Sequence, residues 1–307
     1  MSVTDVLPVW RSMLYVPVNV ERFVDKAHTR GADCIQLDLE DGIAPSEKDR
    51  ARGLVRQAAA KVRRGGADVI VRINRPLSLA VRDIEASLCP DVDALGIPKV
   101  DGASHVRLLD ELAGELERKA GLVEGHTRFV LMIETPQAYF DMRAIACASP
   151  RVVGICIGDE DFALACGMQP DAESLLPAKQ QMIVAAREAG VMPLGFIDSV
   201  ADLSDWEGFR AMARRSRRLG FDGAACVHPG QVKIVNEEYT PDAQGLAYAR
   251  RVIDGDREAR NGGRGAFRIE GRMIDAPVVA RAERLLARFE AIRAREQRTL
   301  GAMAAAR

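Results

Sequence analysis

The sequence has no long apolar segment and no cysteine framework, and these two absences exclude several classes of protein. No segment approaches the run of about 18 apolar residues that a membrane-spanning helix needs. The six cysteines form no C-x-x-C pair and several lie in apolar runs, which is typical of small buried residues in a reducing compartment. The first residues contain no apolar signal core. We therefore expect a soluble, cytoplasmic protein without a membrane segment.

An excess of charge of either sign is also missing. The 43 lysine and arginine residues are balanced by 44 aspartate and glutamate residues, for a formal net charge of -1. A nucleic-acid-binding domain is usually strongly basic, so no nucleic-acid partner is expected. We interpret the arginine cluster at 214–218 as the solvated face of a helix.

Short apolar segments alternate with longer segments of helical period. Continuous apolar character suits strands that are buried on both faces of a parallel sheet. The predicted strands are 12–17, 33–39, 68–73, 94–97, 129–133, 152–157, 191–196 and 222–227. The predicted helices between them include 21–30, 47–63, 104–119, 175–189 and 205–219.

This order of elements predicts an α/β fold, and eight strands predict a (β/α)₈ TIM barrel in residues 1–237. A doubly wound open sheet is the alternative, although no G-x-G-x-x-G follows the first strand. Residues 238–307 exceed what a barrel needs. We expect them to form a C-terminal helical extension or lid, with helices at 239–256 and 278–298 joined by a flexible glycine-rich stretch at 262–271.

Polar side chains stand where the predicted strands end. In a TIM barrel, the chemistry is located at the carboxyl ends of the strands. Carboxylates that converge there repel one another, and Mg²⁺ is a suitable counter-ion because it prefers oxygen ligands. No histidine pair has the spacing of zinc ligands. The residues concerned are Asp38, Glu40, Asp41, Arg72, Asn74, Lys99, Glu134, Asp159, Glu160, Asp161 and His228.

Each of these residues also has a structural interpretation. Arg72 alone could be an ion-pair partner, and Glu134 could be an acid at the start of a helix. Asp161 could be a turn or cap residue, and His228 could cap the loop after the eighth strand. Their coincidence at successive strand ends favours the functional interpretation.

An ordered set of motifs extends over nearly the whole chain. They are RSMLYVP at 11–17, DLED at 38–41, VRIN at 71–74, IPK at 97–99, IETP at 133–136, GDEDF at 158–162, GFDG at 220–223, VHPGQ at 227–231 and GRMIDAP at 271–277. In this order they resemble the citrate lyase beta-subunit/malyl-CoA lyase family, within the wider aldolase superfamily. Gly42 and Ile43 depart from the family's usual small-residue/Val pair, and they leave the choice of substrate open.

The resemblance implies a role for each matching residue. Glu134 and Asp161 match magnesium ligands, and Arg72 matches the residue that binds substrate oxygen and stabilises an enolate. Glu40 and Asp41 match side chains that hold metal-bound water, with Lys99 nearby. The implied catalytic residues are Arg72, Glu40 and Asp275, and the implied substrate-binding residues are Arg72, Glu134, Glu160 and Asp161.

Asp275 matches an acid/base residue that a neighbouring subunit supplies in the malyl-CoA lyase branch. The resemblance thus implies a homo-oligomer, a trimer or a hexamer, with coenzyme A entering near the opening strand. Asp275 could instead be a simple helix cap.

The expected activity is Mg²⁺-dependent cleavage, or formation, of a 3-hydroxyacyl thioester such as malyl-CoA, citramalyl-CoA or a citryl thioester. The products would be an acetyl thioester and a 2-oxo acid. Three alternatives stay open. The chain could act on an acyl-carrier-protein thioester within a citrate lyase complex, hydrolyse hydroxyacyl-CoA thioesters, or serve as a catalytically silent binding subunit.

Overall fold

The computed structural model describes residues 7–198 and 204–305. The chain divides into two compact units, one of Met1–Tyr239 with Thr299–Arg307, the other of Thr240–Arg298. Within the described residues, we find no helix that combines the length and apolar character needed to cross a bilayer.

Eight parallel strands form the sheet of the first unit. From the first strand to the seventh, each strand is hydrogen-bonded to the next one along the chain, and the first is also hydrogen-bonded to the eighth. Leu194, just after the seventh strand, forms a parallel bridge with Gly223, just before the eighth, and so closes the sheet into a barrel. The predicted (β/α)₈ barrel is confirmed. The strands are β1 Ser12–Pro17, β2 Cys34–Asp38, β3 Asp68–Arg72, β4 Ala94–Ile97, β5 Arg128–Ile133, β6 Val152–Ile157, β7 Met192–Pro193 and β8 Ala224–Cys226.

Helices follow the strands, and several begin or end at residues whose chemistry explains the boundary. Asp171 accepts the N–H of Ser174 at the start of the helix Ala172–Ala189, and Gly121 (φ 71°) ends the helix Ala103–Ala120 in the left-handed conformation. The helices of this unit are α1 Glu21–Ala27, α2 Lys48–Arg63, α3 Leu77–Ser87, α4 Ala103–Ala120, α5 Pro136–Phe140, α6 Met142–Ala146, α7 Asp159–Cys166, α8 Ala172–Ala189, α9 Trp206–Leu219 and α10 Pro229–Glu238.

The barrel has two separate apolar cores. Successive side chains of a strand point to opposite faces, so Met13 joins the cluster inside the barrel, whereas Leu14 packs in the larger cluster between sheet and helices. Trp10 belongs to the inner cluster, and its indole N–H donates to Asp68 at 2.7 Å at the amino end of β3. The inner core is therefore packed at the amino ends of the strands.

The second unit contains α11 Ala243–Asn261, a hairpin of β9 Phe267–Ile269 and β10 Arg272–Ile274, and most of α12 Ala276–Ala305. Its core includes Ala249, Val252 and Ile274. The prediction of a flexible stretch at 262–271 is wrong over β9, which pairs with β10. Glu270 and Gly271 have positive φ (49° and 79°), the geometry that a tight hairpin turn requires.

Candidate active site

A cavity of about 910 Å³ opens at the carboxyl ends of the barrel strands. Its deeper wall is formed by side chains of the barrel interior, among them Met132 and Leu194. Above them lies a group of charged side chains that we call the rim: Asp38, Glu40, Arg72, Lys99, Glu134 and Asp161. The sequence predicts this position, because parallel strands bring their carboxyl ends to one edge.

Arg72 is the best-anchored cation of the rim. Its Nε and Nη2 groups donate to the two oxygens of Asp38 at 2.7 and 2.9 Å, and Nη1 lies 2.8 Å from Glu40 Oε2. Its guanidinium also lies over the Tyr15 ring, 4.9 Å from the centroid. These contacts hold the planar group in one orientation, so it can present its remaining N–H groups to a ligand.

Asp38 is the buried counter-ion of Arg72. Burial alone would raise the pKa of this carboxyl, but hydrogen bonds and charge from Arg72 outweigh burial and lower the pKa. The N–H groups of Glu40 and Gly42 also donate to Asp38, at 3.0 and 2.9 Å. The sequence places Asp38 at a strand end within the DLED motif, which is the signal for it, but does not predict it as a site residue.

Glu40 lies between the two rim cations. Its Oε1 accepts from Lys99 Nζ at 2.9 Å, while Oε2 faces Arg72. Lys48 fixes the backbone here, since its Nζ donates to the carbonyls of Leu39 and Glu40 at 2.8 and 2.5 Å. Asp41, in contrast, is exposed, and its carboxylate lies 3.7 Å from Arg72 and 4.0 Å from Lys99.

Glu134 is a buried carboxyl directly after β5. Burial raises its pKa to about 7, and the charges of Glu40 and Asp161 act in the same direction while Lys99 opposes them. Its Oε2 accepts the backbone N–H of Lys99 at 2.7 Å. Gly158 faces the same carboxylate so closely that any Cβ there would overlap it.

Asp161 lies in the first turn of α7, at the end of β6. Its Oδ2 is 3.2 Å from Lys99 Nζ. The first N–H groups of a helix have no acceptor within the helix, so those of Asp159, Glu160 and Asp161 are available to an anion. The side chain of Glu160 is exposed, whereas Asp159 pairs with Lys179 of α8 at 2.8 Å.

Lys179 is the residue of this region that the sequence did not reveal. It lies in the middle of an amphipathic helix, yet its side chain is only 3% exposed and lines the cavity. Periodicity assigned the position to a helix face but could not show that an acid on another element would meet it.

Two further strand-end candidates make structural contacts, and the third predicted residue belongs to the second unit. Asn74 is buried and bonds to Leu39 and Asp83. His228 lines the cavity, but its Nδ1 accepts the N–H of Gly230 and caps α10, as in the structural interpretation. Asp275 belongs to the second unit, immediately before α12, where its carbonyl accepts from Val278 and Val279.

The charges at the carboxyl ends of the strands favour a bound cation. There, seven acidic side chains meet four basic ones, an excess of three negative charges if all are ionised. The acids are Asp38, Glu40, Asp41, Glu134, Asp159, Glu160 and Asp161, and the bases are Lys48, Arg72, Lys99 and Lys179. Lys26 and Arg30, which line the cavity beside α1, reduce the excess over the whole cavity to one. In the part of the chain that the structure describes, no three His, Cys, Asp or Glu side chains are grouped as metal ligands. A metal here would therefore need ligands beyond Glu134 and Asp161, from water or substrate.

Comparison with known proteins agrees with the fold and the motifs. The family described as HpcH/HpaI aldolase/citrate lyase matches residues 11–229. The citrate lyase subunit beta of Leuconostoc mesenteroides subsp. cremoris is 35% identical over 279 residues, which cover 90% of this chain and 92% of that protein. The chain belongs to the HpcH/HpaI aldolase/citrate lyase family, and it is a carbon–carbon lyase of the citrate lyase beta-subunit type.

Two relatives from Cereibacter sphaeroides differ in their names. One, "(3S)-malyl-CoA thioesterase", is 34% identical over 93% of this chain and 96% of that protein. The other, "L-malyl-CoA/beta-methylmalyl-CoA lyase", is 31% identical over 92% of this chain and 96% of that protein. Among solved structures, protein CitE from Mycobacterium tuberculosis, in complex with magnesium, acetoacetate and coenzyme A, superposes with a TM-score of 0.73 at 30% identity. That alignment covers 92% of this chain and 98% of CitE.

Proposed function

We propose that this enzyme uses Mg²⁺ to cleave a 3-hydroxyacyl-CoA thioester into an acetyl thioester and a 2-oxo acid, or to run the reverse condensation. The observation that carries the proposal is the convergence of Glu134 and Asp161 on Lys99, beside the anchored guanidinium of Arg72. The magnesium and coenzyme A bound to CitE and the names of the relatives support the cofactor and the thioester.

Glu134 and Asp161 would hold the metal. The raised pKa of Glu134 fits this role, because a cation beside a buried carboxyl favours its ionised form. When bound, Mg²⁺ supplies Lewis-acid polarisation of the hydroxyl and carboxylate oxygens of the 2-hydroxy acid portion.

Arg72 would stabilise the negative charge that develops on oxygen when the carbon–carbon bond breaks. A guanidinium has five N–H donors, and the hydrogen bonds with Asp38 use two of them. Nη1 also faces Glu40 at 2.8 Å and Asp41 at 3.7 Å, and the N–H groups that Asp38 does not take would donate to a substrate oxygen. Because Arg72 is already oriented, little reorganisation is needed during the reaction.

Glu40 and Asp41 would complete the environment of the metal. Glu40 would orient Arg72 and Lys99, and Asp41 would hold water. The free N–H groups at Glu160 and Asp161 would bind the substrate carboxylate. We further propose that Asp275 of a neighbouring subunit exchanges the proton with the enolate carbon, which would make a homo-oligomer part of the mechanism.

The thioester would enter beside α1. The cavity extends there to Phe23, Lys26 and Arg30, which combine an exposed aromatic ring with two positive charges. Such a surface suits the adenine and phosphates of coenzyme A. An acyl carrier protein has a phosphopantetheine arm without the nucleotide, so these side chains favour free CoA thioesters.

Thioester hydrolysis is the second candidate, because one relative is named a malyl-CoA thioesterase. A product assay with malyl-CoA, citramalyl-CoA and citryl-CoA, with Mg²⁺ or EDTA, separates the activities. We expect an acetyl thioester and a 2-oxo acid only with Mg²⁺. If the products are free CoA and the intact hydroxy acid, the activity on that substrate is thioester hydrolysis and not carbon–carbon cleavage. Activity solely with an acyl-carrier-protein thioester would contradict the CoA assignment.

A further inference from the structure

Lys99 contacts both proposed magnesium ligands, through different parts of the residue. Its backbone N–H donates to Glu134 Oε2 at 2.7 Å, and its Nζ lies 3.2 Å from Asp161 Oδ2. Nζ also contacts Glu40 at 2.9 Å and approaches Asp41 to 4.0 Å. One ammonium group thus lies among three carboxylates, the kind of position that a bound cation would occupy.

The backbone at Lys99 is held in an uncommon conformation. Its φ of 48° lies in the left-handed region, which a residue with a side chain seldom adopts and which costs about 1 kcal/mol or more. The residue also follows Pro98, and its carbonyl accepts from Arg75 Nε at 2.9 Å. Together these contacts direct the N–H towards Glu134 and leave the side chain free to reach Asp161.

We propose that the Lys99 ammonium competes with Mg²⁺ for Asp161. In the enzyme without metal, it would keep Glu40, Asp41 and Asp161 together in spite of their mutual repulsion. When the metal binds, the ammonium would give up Asp161 but retain Glu40. The backbone N–H would go on holding Glu134. The carboxylates would thereby stay preorganised at the cost of some magnesium affinity.

This inference rests on the proposed magnesium site, and calorimetric titration of Mg²⁺ into EDTA-treated, dialysed enzyme tests both. For Lys99→Met, which keeps an unbranched side chain, we expect Mg²⁺ to bind at least about fivefold more tightly than to wild type. Lys179→Met is the matched control. This substitution removes the same charge, but the Lys179 ammonium contacts Asp159 and not Asp161. Its effect on Mg²⁺ affinity should therefore be smaller.

Thermal unfolding in EDTA gives a second readout that needs neither metal nor activity. Lys99→Met should lower the midpoint, and the loss should shrink by about half in an Asp161→Asn background, because the two side chains interact. Lys99→Gln repeats both measurements if Lys99→Met does not fold. Wild-type enzyme that binds no Mg²⁺ overturns the metal site and this inference together. If wild type binds Mg²⁺ and Lys99→Met leaves that affinity unchanged or weaker, this inference alone is overturned. The same holds if Lys99→Met lowers the unfolding midpoint equally in the wild-type and Asp161→Asn backgrounds.

Discussion

Gly158 shows how a missing side chain can shape the rim. Its dihedral angles, φ -86° and ψ 101°, are open to any residue, so only the space beside Glu134 requires glycine. We expect Gly158→Ala to displace the Glu134 carboxylate, weaken Mg²⁺ binding and reduce turnover by at least about tenfold, because a small misplacement of a reacting group is costly. Titration calorimetry and a product assay measure these effects.

The control for this substitution is Gly53→Ala. Gly53 is exposed on α2 with open space around its Cα, so alanine should leave turnover unchanged and stabilise the fold by up to about 1 kcal/mol. Native magnesium affinity in Gly158→Ala would show that the Glu134 carboxylate does not need this space.

Arg72 carries the second prediction at the residue scale. Lysine keeps the charge but has a single donor centre, so Arg72→Lys loses the paired contact with Asp38 and cannot also reach Glu40 in the same geometry. We expect kcat to fall by about 10²- to 10³-fold, as for other groups that stabilise an oxyanion. Steady-state kinetics at saturating Mg²⁺ give the value.

Arg187→Lys is the matched control. Arg187 also forms a paired contact, with Asp222, but it is about half exposed and does not line the cavity. Its substitution should change kcat by less than twofold, in line with the small energies of exposed ion pairs. A near-native kcat for Arg72→Lys would show that Arg72 does not have the proposed role of stabilising the developing negative charge on oxygen.

At the scale of elements, the bounds of β1, β4 and β6 could be predicted from the sequence, because buried strands are continuous apolar runs. β7 and β8 are shorter than predicted. Gly195 has a φ of 136°, which ends the regular hydrogen-bond ladder of β7 after Leu194. The connection to β8 is then a single bridge, between Leu194 and Gly223. An apolar run shows burial but does not show where ladder hydrogen bonds stop.

The site was predictable to the extent that it depends on strand ends. Arg72 lies at the carboxyl end of β3, Glu134 at that of β5 and Asp161 at that of β6, as predicted, because barrel topology alone brings these ends to one edge. The pairing of Lys179 with Asp159 and the bridging position of Lys99 depend on side-chain reach between elements. Local sequence patterns contain no information about such distances.

Glu117 allows a prediction about the link between α4 and β6. This buried carboxylate accepts two N–H groups of Arg151 at 2.7 Å and the backbone N–H groups of Gly125 and Thr127 at 2.8 Å. Burial would raise its pKa, but these hydrogen bonds and the charge of Arg151 outweigh burial and lower it. A carboxyl with a lowered pKa stabilises the fold above its unfolded pKa of about 4.3.

That stabilisation must disappear as the pH falls through the pKa of the folded state. We therefore expect Glu117→Gln to lower the free energy of unfolding by about 3 kcal/mol at pH 7, because it leaves Arg151 buried without its charge partner. The difference from wild type should shrink below pH ~4. Urea unfolding between pH 3 and 7 measures it, and a difference that stays constant over this range would contradict the assignment.

At the scale of the whole molecule, the rim provides sites for the metal and for charge stabilisation, and each of its four acids already faces a cation or is a proposed metal ligand. The oxygens of Asp38 and Glu40 face cations, and Glu134 and Asp161 are proposed metal ligands. The proposed acid/base residue, Asp275, belongs to the second unit. Its half-buried side chain precedes α12, where an acid could equally cap the helix.

Mixed oligomers distinguish a shared site from a cap. If Asp275 completes the site of a neighbouring subunit, Arg72→Ala and Asp275→Ala proteins should each be nearly inactive alone. After subunit exchange, some sites receive an intact Arg72 from one chain and an intact Asp275 from another, so part of the activity should return. Exchange is followed with two affinity tags, and each variant exchanged with itself is the control. Verified exchange without recovery would place Asp275 outside the neighbouring site. Asp275→Asn with native turnover and lowered stability would identify it as a cap.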